Sequence, residues 1–349
     1  MLIAHPHSII LIQSPYRSVK TFTGHSNMWL VKLGAFFAFC ALNAESQYFD
    51  SIAIKVYRRD QPVTLVRADN VNDEKEITDV LIENEVVPVL KTGSFQNLTL
   101  LKSILIQGSN LRILEPSPFV NLPSLRIINL NFNRITEVPE GVFANLTVAK
   151  ISLRGNGIRT LSPYAFYNLT NLEHLDLNSN SIKIIPEDLF YLTQNLRSLD
   201  FGYNQLESHS DIRPYRFFPD VFANVNEDKN SMLDLSNNNF LEINNNMLLG
   251  VQFVGELLLS NNNIRRIGDG ALKDLRWSML VDLEGNNLKK LSDGVLKTLT
   301  NVRDINVQNN PWENDFVCKY NKWCSDFNIE NTMDMSCLSA NETSWWNNF

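Results

Sequence analysis

The chain has 349 residues, with 31 Lys and Arg residues against 38 Asp and Glu residues, and a formal net charge of −7. Phosphate binding needs clustered basic residues, so this acidic balance argues against a nucleic-acid partner. The length alone is compatible with two domains.

The first recognisable pattern is that of a secretory signal. Met28 opens a short stretch that ends in Lys32, and an apolar run followed by small residues extends to Ser46. We therefore predict a signal peptide over 28–46 and secretion, and we interpret 1–27 as a gene-model extension, because signal peptides begin at the initiator Met. The apolar core of about ten residues is too short to span a bilayer, so no stable membrane anchor is expected.

Residues 47–76 are predicted to form an N-terminal cap. Two apolar runs, over 51–57 and 63–66, indicate capping strands. The segment contains no cysteine, so this cap is not of the disulfide type.

From 77 to 311 the chain repeats an L-x-x-L-x-L-x-x-N-x-L frame. The units begin at Ile77, Leu101, Leu125, Val148, Leu172, Leu196, Asn230, Val254, Ser278 and Val302. Seven of the nine intervals are 24 residues, one is 23 and one is 34. Such self-similarity predicts a solenoid, because a single unit cannot bury its apolar face alone.

Each unit predicts a short strand followed by a turn. Leu175 and Leu177 alternate with polar residues, so this strand has one inward face. Eight units place an asparagine at the turn, and we expect it to be buried and to satisfy backbone groups: Asn133, Asn156, Asn180, Asn204, Asn238, Asn262, Asn286 and Asn310. The first two units carry Glu85 and Ser109 there instead.

Two further apolar columns are predicted to fill the core. The first is mostly aromatic: Phe95, Phe119, Phe143, Phe166, Phe190 and Phe222, then Leu248, Leu272 and Leu296. The second is aliphatic and is interrupted by His209: Leu90, Leu114, Val138, Leu161, Ile185, Ile243, Ile267 and Leu291.

Unit length, phenylalanine column and asparagine turn together resemble the extracellular ("typical") class of leucine-rich-repeat proteins. The resemblance implies an α/β repeat fold. It would be a horseshoe-shaped solenoid of about ten units, with a parallel concave sheet and a cap at each end.

Residues 312–349 resemble the cysteine-rich C-terminal cap of this class, since Trp312 is followed by Cys318, Cys324 and Cys337. The usual cap has four cysteines, and Asn314 and Phe316 occupy the first two positions here, so the family's pairing cannot be carried over. The candidate disulfides are Cys318–Cys337 and Cys324–Cys337. The remaining thiol is then either buried and inert or the link in a disulfide-linked homo- or heterodimer.

No catalytic, phosphate-binding or metal-binding motif is present in the sequence, so we expect no enzyme activity, cofactor or metal. His174 lies beside Asp176, but the repeat phase is expected to place no Ser or Cys nucleophile next to it.

The solvent-facing side of the predicted sheet is expected to bind a protein partner. Lys102, Arg126 and Arg154 make the early units basic, whereas Asp176, Asp200 and Asp234 should stack about 5 Å apart in an acidic column. Phe132 and Tyr203 are exposed aromatic candidates for anchoring a partner. In the ten-residue insertion, Tyr215 and Arg216 either contact a partner or belong to a segment that folds back into the core.

Four glycosylation sequons occur, at Asn97, Asn145, Asn168 and Asn341. Three of them share one repeat phase, so the motif is either a by-product of the repeat or a set of glycans on an outer rim. In a secreted chain we expect glycosylation.

The predicted signal, the repeats and the partial cap together resemble insect leucine-rich immune proteins of the coil-less type. This resemblance implies an extracellular protein partner and a role in innate immunity. A cell-adhesion or extracellular-matrix protein is the alternative, because it would share the same motifs.

Overall fold

The computed structural model describes residues 53–58, 64–67, 76–186, 188–208, 230–245, 247–333 and 336–337. The chain divides into two compact units, the first comprising 1–172 and 191–193, the second 173–190 and 194–349. The predicted signal peptide, the aromatic insertion with Tyr215 and Arg216, and the sequon at Asn341 lie outside the described residues.

The first unit consists of an antiparallel hairpin followed by parallel strands. Its strands are β1 Ala53–Arg58, β2 Thr64–Arg67, β3 Ile77–Glu83, β4 Val89–Leu90, β5 Phe95–Gln96, β6 Ser103–Gln107, β7 Ile113–Leu114, β8 Phe119–Val120, β9 Ile127–Asn129, β10 Glu137–Val138, β11 Lys150–Ser152 and β12 Thr160–Leu161. Strand β1 pairs antiparallel with both β2 and β3. Strands β3, β6, β9 and β11 then pair in parallel, one from each turn.

The second unit continues the same pattern and ends in helices. Its elements are β13 His174–Asp176, β14 Ser198–Asp200, β15 Met232–Asp234, β16 Glu242–Ile243, β17 Phe253–Leu258, β18 Arg266–Ile267, β19 Trp277–Asp282, α1 Asp293–Leu299, β20 Val302–Asn306 and α2 Asn314–Phe327. Strands β13, β14, β15, β17, β19 and β20 pair in parallel. The predicted leucine-rich-repeat solenoid is confirmed.

Six of the eight turn asparagines are buried, as predicted, whereas Asn156 and Asn310 are half-buried. Asn133 is 7% exposed, and its Nδ2 donates to the carbonyl oxygens of Leu130, at 2.9 Å, and of Ile106 in the preceding turn, at 2.7 Å. Its Oδ1 accepts from the backbone N–H groups of Ser109, at 2.9 Å, and Leu111, at 3.2 Å. One side chain therefore satisfies backbone groups of two turns, which would otherwise be buried without partners.

The phenylalanine column forms the predicted aromatic core of the first unit. Phe95, Phe119, Phe143 and Phe166 stack in sequence, with centroid separations of 5.9, 5.9 and 5.4 Å. In the second unit Phe190 packs edge-on against Phe201. Phe222 lies outside the described residues.

The end of the second unit is closed by α2 and the segment after it. Trp312 Nε1 donates to the Val307 carbonyl oxygen at 2.9 Å, and Phe316 packs between Trp312 and Tyr320. Thr332 Oγ1 donates to the Ile305 carbonyl oxygen at 2.7 Å. These groups cover the exposed edge of β20, which would otherwise present unpaired backbone groups.

The cap contains one disulfide and one thiol. Cys318 is bonded to Cys337, and Cys324 is free and only 3% exposed. Burial raises the pKa of the Cys324 thiol. Since the thiolate is the reactive form, this environment disfavours Cys324 as the link in a covalent dimer.

Among the described residues no helix is long and apolar enough to cross a membrane.

Replacing one turn asparagine should cost far more stability than replacing its neighbour. Asn262→Ala removes a side chain that accepts from Phe240 N–H and donates to the Leu235 and Leu259 carbonyls. We expect the free energy of unfolding to fall by about 3 kcal/mol or more, because several buried groups lose their partners. Exposed Asn263→Ala should change it by less than about 0.5 kcal/mol. Equal urea midpoints for the two variants would contradict this role.

Cys324 should resist thiol reagents in the native protein. With the disulfide intact, alkylation at neutral pH should be more than about tenfold slower than in the urea-unfolded chain. The measurement is the mass increase with time. Rapid native labelling, or a covalent dimer that Cys324→Ala abolishes, would show that the thiol is accessible.

Candidate binding surface

The strand residues that point to solvent form one face of each unit, here called the sheet face. In the second unit, strand register places Asp176 opposite Asp200, and Asp200 opposite Asp234. Neighbouring strands are about 4.8 Å apart, so three carboxylates share one column. The repeat phase predicted this stacking.

Each aspartate of the column also has a structural task. Asp200 Oδ1 accepts from Gly202 N–H at 2.8 Å, and Asp234 Oδ1 accepts from Ser236 N–H at 2.8 Å. Asp176 does the same with the N–H two residues ahead. Asn129 and Asn306 accept the equivalent hydrogen bonds in their own turns, at 3.0 and 3.2 Å. A neutral side chain can thus make this hydrogen bond, and Leu258 occupies the same column without any acceptor oxygen, so the fold does not need a charge at this position.

Asp200 is the most constrained member of the column. Asn178 Nδ2 donates to both of its carboxylate oxygens, at 3.0 and 3.2 Å. A Cβ atom at Gly202 would lie 3.0 Å from Asp234 Oδ2 and 3.1 Å from Asp200 Oδ1, so the glycine lets these groups converge. Burial, followed by repulsion from Asp234 and Asp176, raises the pKa of Asp200, against the lowering effect of its hydrogen bonds.

The acidic surface extends along the second unit. We call these seven residues the acidic sheet face: Asp176, Asp200, Asp234, Glu256, Asp282, Glu284 and Asp304. Met232 lies opposite Glu256, and Leu280 lies between Glu256 and Asp304. The sequence pattern did not single out Met232, Leu280 or Asp304, although aligning the third position of every unit would have found them.

Phe132 and Tyr203 occupy an unusual backbone position. The eighth residue of every unit has a positive φ: Asn84, Gly108, Phe132, Gly155, Ser179, Tyr203, Asn237, Asn261, Gly285 and Asn309. Glycine and asparagine adopt this conformation readily, whereas a bulky residue is strained in it. Phe132 and Tyr203 are nevertheless 61% and 60% exposed, so packing in the core does not explain them.

The basic candidates of the first unit do not form one patch. Lys102 and Arg126 precede β6 and β9, whereas Arg154 follows β11. Arg126 Nη1 donates to the Leu125 carbonyl at 2.9 Å and to Thr147 Oγ1 at 3.2 Å. Its guanidinium group is therefore bound to the adjoining loop, which sequence position alone did not indicate.

One expectation about His174 was wrong. Strand register places Ser198 directly opposite His174, so a serine does lie beside it. Both residues hold the third position of their units, the fifth and the sixth, so the repeat phase places them on neighbouring strands. No hydrogen bond joins the two side chains within the described part of the chain, and the Asp176 carboxylate accepts from Asn178 N–H instead.

The three described sequons share a conformation as well as a phase. Asn97, Asn145 and Asn168 have φ values of 60°, 60° and 53°. The left-handed conformation explains why the repeat favours asparagine there. Asn168 Nδ2 donates to Asn145 Oδ1 at 2.8 Å, and Asn121 Nδ2 donates to Asn97 Oδ1 at 2.8 Å.

Comparison with protein families agrees with this geometry. The family described as leucine rich repeat matches residues 80–135, 99–148, 147–206 and 254–311, which together exceed half of the chain. The chain belongs to the leucine-rich-repeat family. No curated protein sequence matches this leucine-rich-repeat chain.

Solved structures from an FLRT2 complex and a Toll complex show the same fold at low identity. A chain of the octameric Latrophilin 3, Unc5D and FLRT2 complex, which contains the FLRT2 leucine-rich repeats, is 17% identical with a TM-score of 0.53; the match covers 76% of this chain and 85% of that one. A chain of the Drosophila Toll–Spatzle complex is 18% identical with a TM-score of 0.50, and the match covers 63% of this chain and 34% of that one. A chain of the TLR13–ssRNA13 complex is 19% identical with a TM-score of 0.41, and the match covers 69% of this chain and 41% of that one. The chain thus spans less than half of the Toll-complex and TLR13-complex chains it matches.

Removing the charge of Asp200 should stabilise the second unit in a pH-dependent way. Because the folded-state pKa lies above the ordinary value of 3.8, protonation favours the fold, and this contribution is lost as pH rises through the raised pKa. Asp200→Asn keeps an acceptor oxygen and should be more stable than wild type at pH 7 by roughly 0.2–1 kcal/mol. The advantage should disappear below about pH 3.8.

Asp282→Asn is the matched control, since its cross-strand neighbours are Leu258 and Asn306. The measurement is the urea midpoint of each variant against wild type from pH 3 to pH 7. A stability difference for Asp200→Asn that does not change with pH would refute the argument.

Proposed function

We propose that the chain is a secreted, non-enzymatic recognition protein that binds a basic protein through its acidic sheet face. The observation that carries this proposal is the aspartate column. Asn129 and Asn306 provide the same turn hydrogen bond without charge, yet three neighbouring units use aspartate. The charges are therefore surplus to the fold and are placed where a ligand can meet them.

The composition of the face supports a protein ligand. Met232, Leu258 and Leu280 lie among the carboxylates and provide apolar contact area. Exposed Tyr203 lies three residues after Asp200 and offers an aromatic anchor. Nucleic acid is disfavoured as the ligand, because its phosphates would be repelled by this face.

A role in innate immunity is supported by two resemblances. The predicted signal, the repeats and the partial cap resemble insect leucine-rich immune proteins, and the fold is similar to that of a chain in the Toll–Spatzle complex, a hub in development and innate immunity. Leucine-rich repeats are typically interaction scaffolds, which agrees with a function that needs no catalysis.

Cell adhesion is the second candidate function. The chain covers 85% of its match in the Latrophilin 3, Unc5D and FLRT2 complex, against 34% of its match in the Toll complex. An adhesion protein of this kind would bind a receptor on cells rather than a soluble factor. We place it second because the resemblance of the repeats and the partial cap to insect leucine-rich immune proteins adds to the immune interpretation.

The test compares how well two variants of the chain capture a partner: one with charges removed from the acidic sheet face, and a control with charges removed elsewhere. Asp234→Asn, Glu256→Gln and Asp282→Asn together remove three charges from the acidic sheet face and keep both turn acceptors. Asp269→Asn, Asp326→Asn and Glu330→Gln together remove three exposed charges of the second unit that lie off the strands. The tagged, secreted chain is incubated with body fluid and with cells, and captured proteins are identified by mass spectrometry.

We expect the face variant to bind the captured protein at least about tenfold more weakly than the control variant, and affinity to fall as salt rises. A soluble factor from body fluid would favour immunity, and a cell-surface receptor would favour adhesion. Equal affinities of the two variants would refute the acidic sheet face as the binding site. Retention of the chain inside cells would refute secretion.

A further inference from the structure

Three tyrosines of the first unit form a compact cluster away from the sheet face. The rings of Tyr167 and Tyr191 are stacked with centroids 6.0 Å apart. Tyr164 lies edge-on to both rings, at 6.1 and 6.2 Å. We call these three residues the tyrosine cluster. Tyr191 is 53% exposed and Tyr164 is 37% exposed, so the rings present an aromatic surface to solvent.

The cluster includes residues at positions where other turns use small or polar side chains. Tyr164 has a φ of 58°, at a repeat position held by Gly93, Ser117 and Gly141 in the preceding turns. Leu192, beside Tyr191, has a φ of 60° at the position that Asn168 holds one turn earlier. Bulky residues are strained in this conformation. Tyr164 and Leu192 are exposed, so burial in the core does not offset the strain.

A sequon adjoins this cluster along the backbone. Asn168 follows Tyr167 in sequence, and its backbone N–H donates to the Tyr191 carbonyl oxygen at 3.0 Å. Its Nδ2 uses one hydrogen to donate to Asn145 Oδ1 at 2.8 Å. The second hydrogen of that amide is available for substitution, because a substituted amide nitrogen keeps one N–H.

The other described sequons have fewer aromatic neighbours. Asn97 follows Gln96 and hydrogen-bonds to the backbone of Val120. Asn145 follows Ala144 and borders Tyr167 alone. Asn168 is thus the described sequon flanked by two tyrosines, and Asn97 provides an internal control without any.

We propose that Asn168 carries an N-linked glycan whose first N-acetylglucosamine packs against the tyrosine cluster. In the attachment, C1 of the sugar leaves the diphosphate of a lipid-linked oligosaccharide and bonds to Nδ2, which loses one proton. The C–H face of the sugar then meets the electron-rich ring faces. The cluster is in this way covered by the chain's own modification. The inference rests on the secretion proposed above, since a chain must enter the secretory pathway to meet the donor.

The experiment is a double-mutant cycle on the full chain secreted from cultured eukaryotic cells. Thr170→Ala removes the sequon, Tyr191→Ala removes the exposed ring, and the double variant closes the cycle. We expect Thr170→Ala to lower the Tm by about 2–4 °C, and to lower it much less when Tyr191 is already alanine. Thr170→Ser keeps both sequon and hydroxyl and should behave as wild type. Thr99→Ala removes the Asn97 sequon and should show no coupling to Tyr191→Ala.

Trimming the glycan supplies a second measurement. An endoglycosidase that leaves only the first N-acetylglucosamine should preserve the Tm, because that sugar makes the proposed contact. Mass spectrometry of glycopeptides establishes which asparagines are modified.

Three outcomes would overturn the proposal. A secreted chain glycosylated at Asn97 but not at Asn168 overturns it and leaves the proposed secretion intact. A glycan on Asn168 with purely additive effects of Thr170→Ala and Tyr191→Ala refutes the packing. A chain retained in cells without any glycan contradicts both this proposal and the proposed function.

Discussion

The hydrogen bonds of the turn asparagines, present in eight of the ten units, are the constraint on which the rest of the molecule depends. In the second unit, Asn204 Nδ2 donates to the Phe201 carbonyl of its own turn and to the Leu177 carbonyl of the turn before, both at 3.0 Å, while its Oδ1 accepts from Ile182 N–H at 3.0 Å. An amide side chain is short, so it can join two turns only if they lie in register. Ser109 performs part of this task with a hydroxyl that donates to the Gln107 carbonyl, which is why the early turns tolerate the substitution. Because the bonds recur at a fixed interval, every other position of the repeat is forced into a column as well.

Because equivalent positions stack in columns, the energetic effect of each residue depends on the residues at the same position in the neighbouring turns. Stacked phenylalanines gain from their neighbours, and left-handed positions filled by glycine or asparagine cost little in any turn. Stacked carboxylates oppose one another, and this repulsion adds to burial in raising the pKa of Asp200 within the second unit. Asn306 makes the same turn hydrogen bond as Asp200, so an uncharged residue is sufficient at this position of the repeat. Three successive strands nevertheless carry a charged aspartate there. The departure lies on the solvent side, where repulsion can be relieved by a basic ligand.

The sequence was sufficient for everything that periodicity governs. Strand positions, the asparagine turns, the buried phenylalanines and the register of Asp176, Asp200 and Asp234 all follow from phase, and the structure confirms them. Phase assigns a column to each residue but not the direction of a long side chain. It therefore could not indicate that Arg126 turns back onto loop carbonyls. The pairing of Cys318 with Cys337 was equally beyond it, because the cap lies outside the repeat and lacks the family's usual cysteine pattern. The tyrosine cluster was missed for a different reason, since Tyr164 lies three positions earlier in phase than Tyr191 and meets it only across turns.

The residues that break a column are the ones that distinguish this chain from any other stack of the same repeat. Buried exceptions are conservative in their chemistry: leucine replaces phenylalanine and serine replaces asparagine. Exceptions on the solvent side are costly: they are the exposed Phe132, Tyr203 and Tyr164 in left-handed backbone, and three half-buried aspartates in one column. Strain and repulsion at exposed positions are not offset by core packing, so whatever offsets them must come from outside the polypeptide core. A protein ligand on the sheet face and a glycan on the tyrosines would each provide that contact, and they act on separate sets of residues. The repeat specifies the scaffold, and recognition resides in the positions where the chain departs from it.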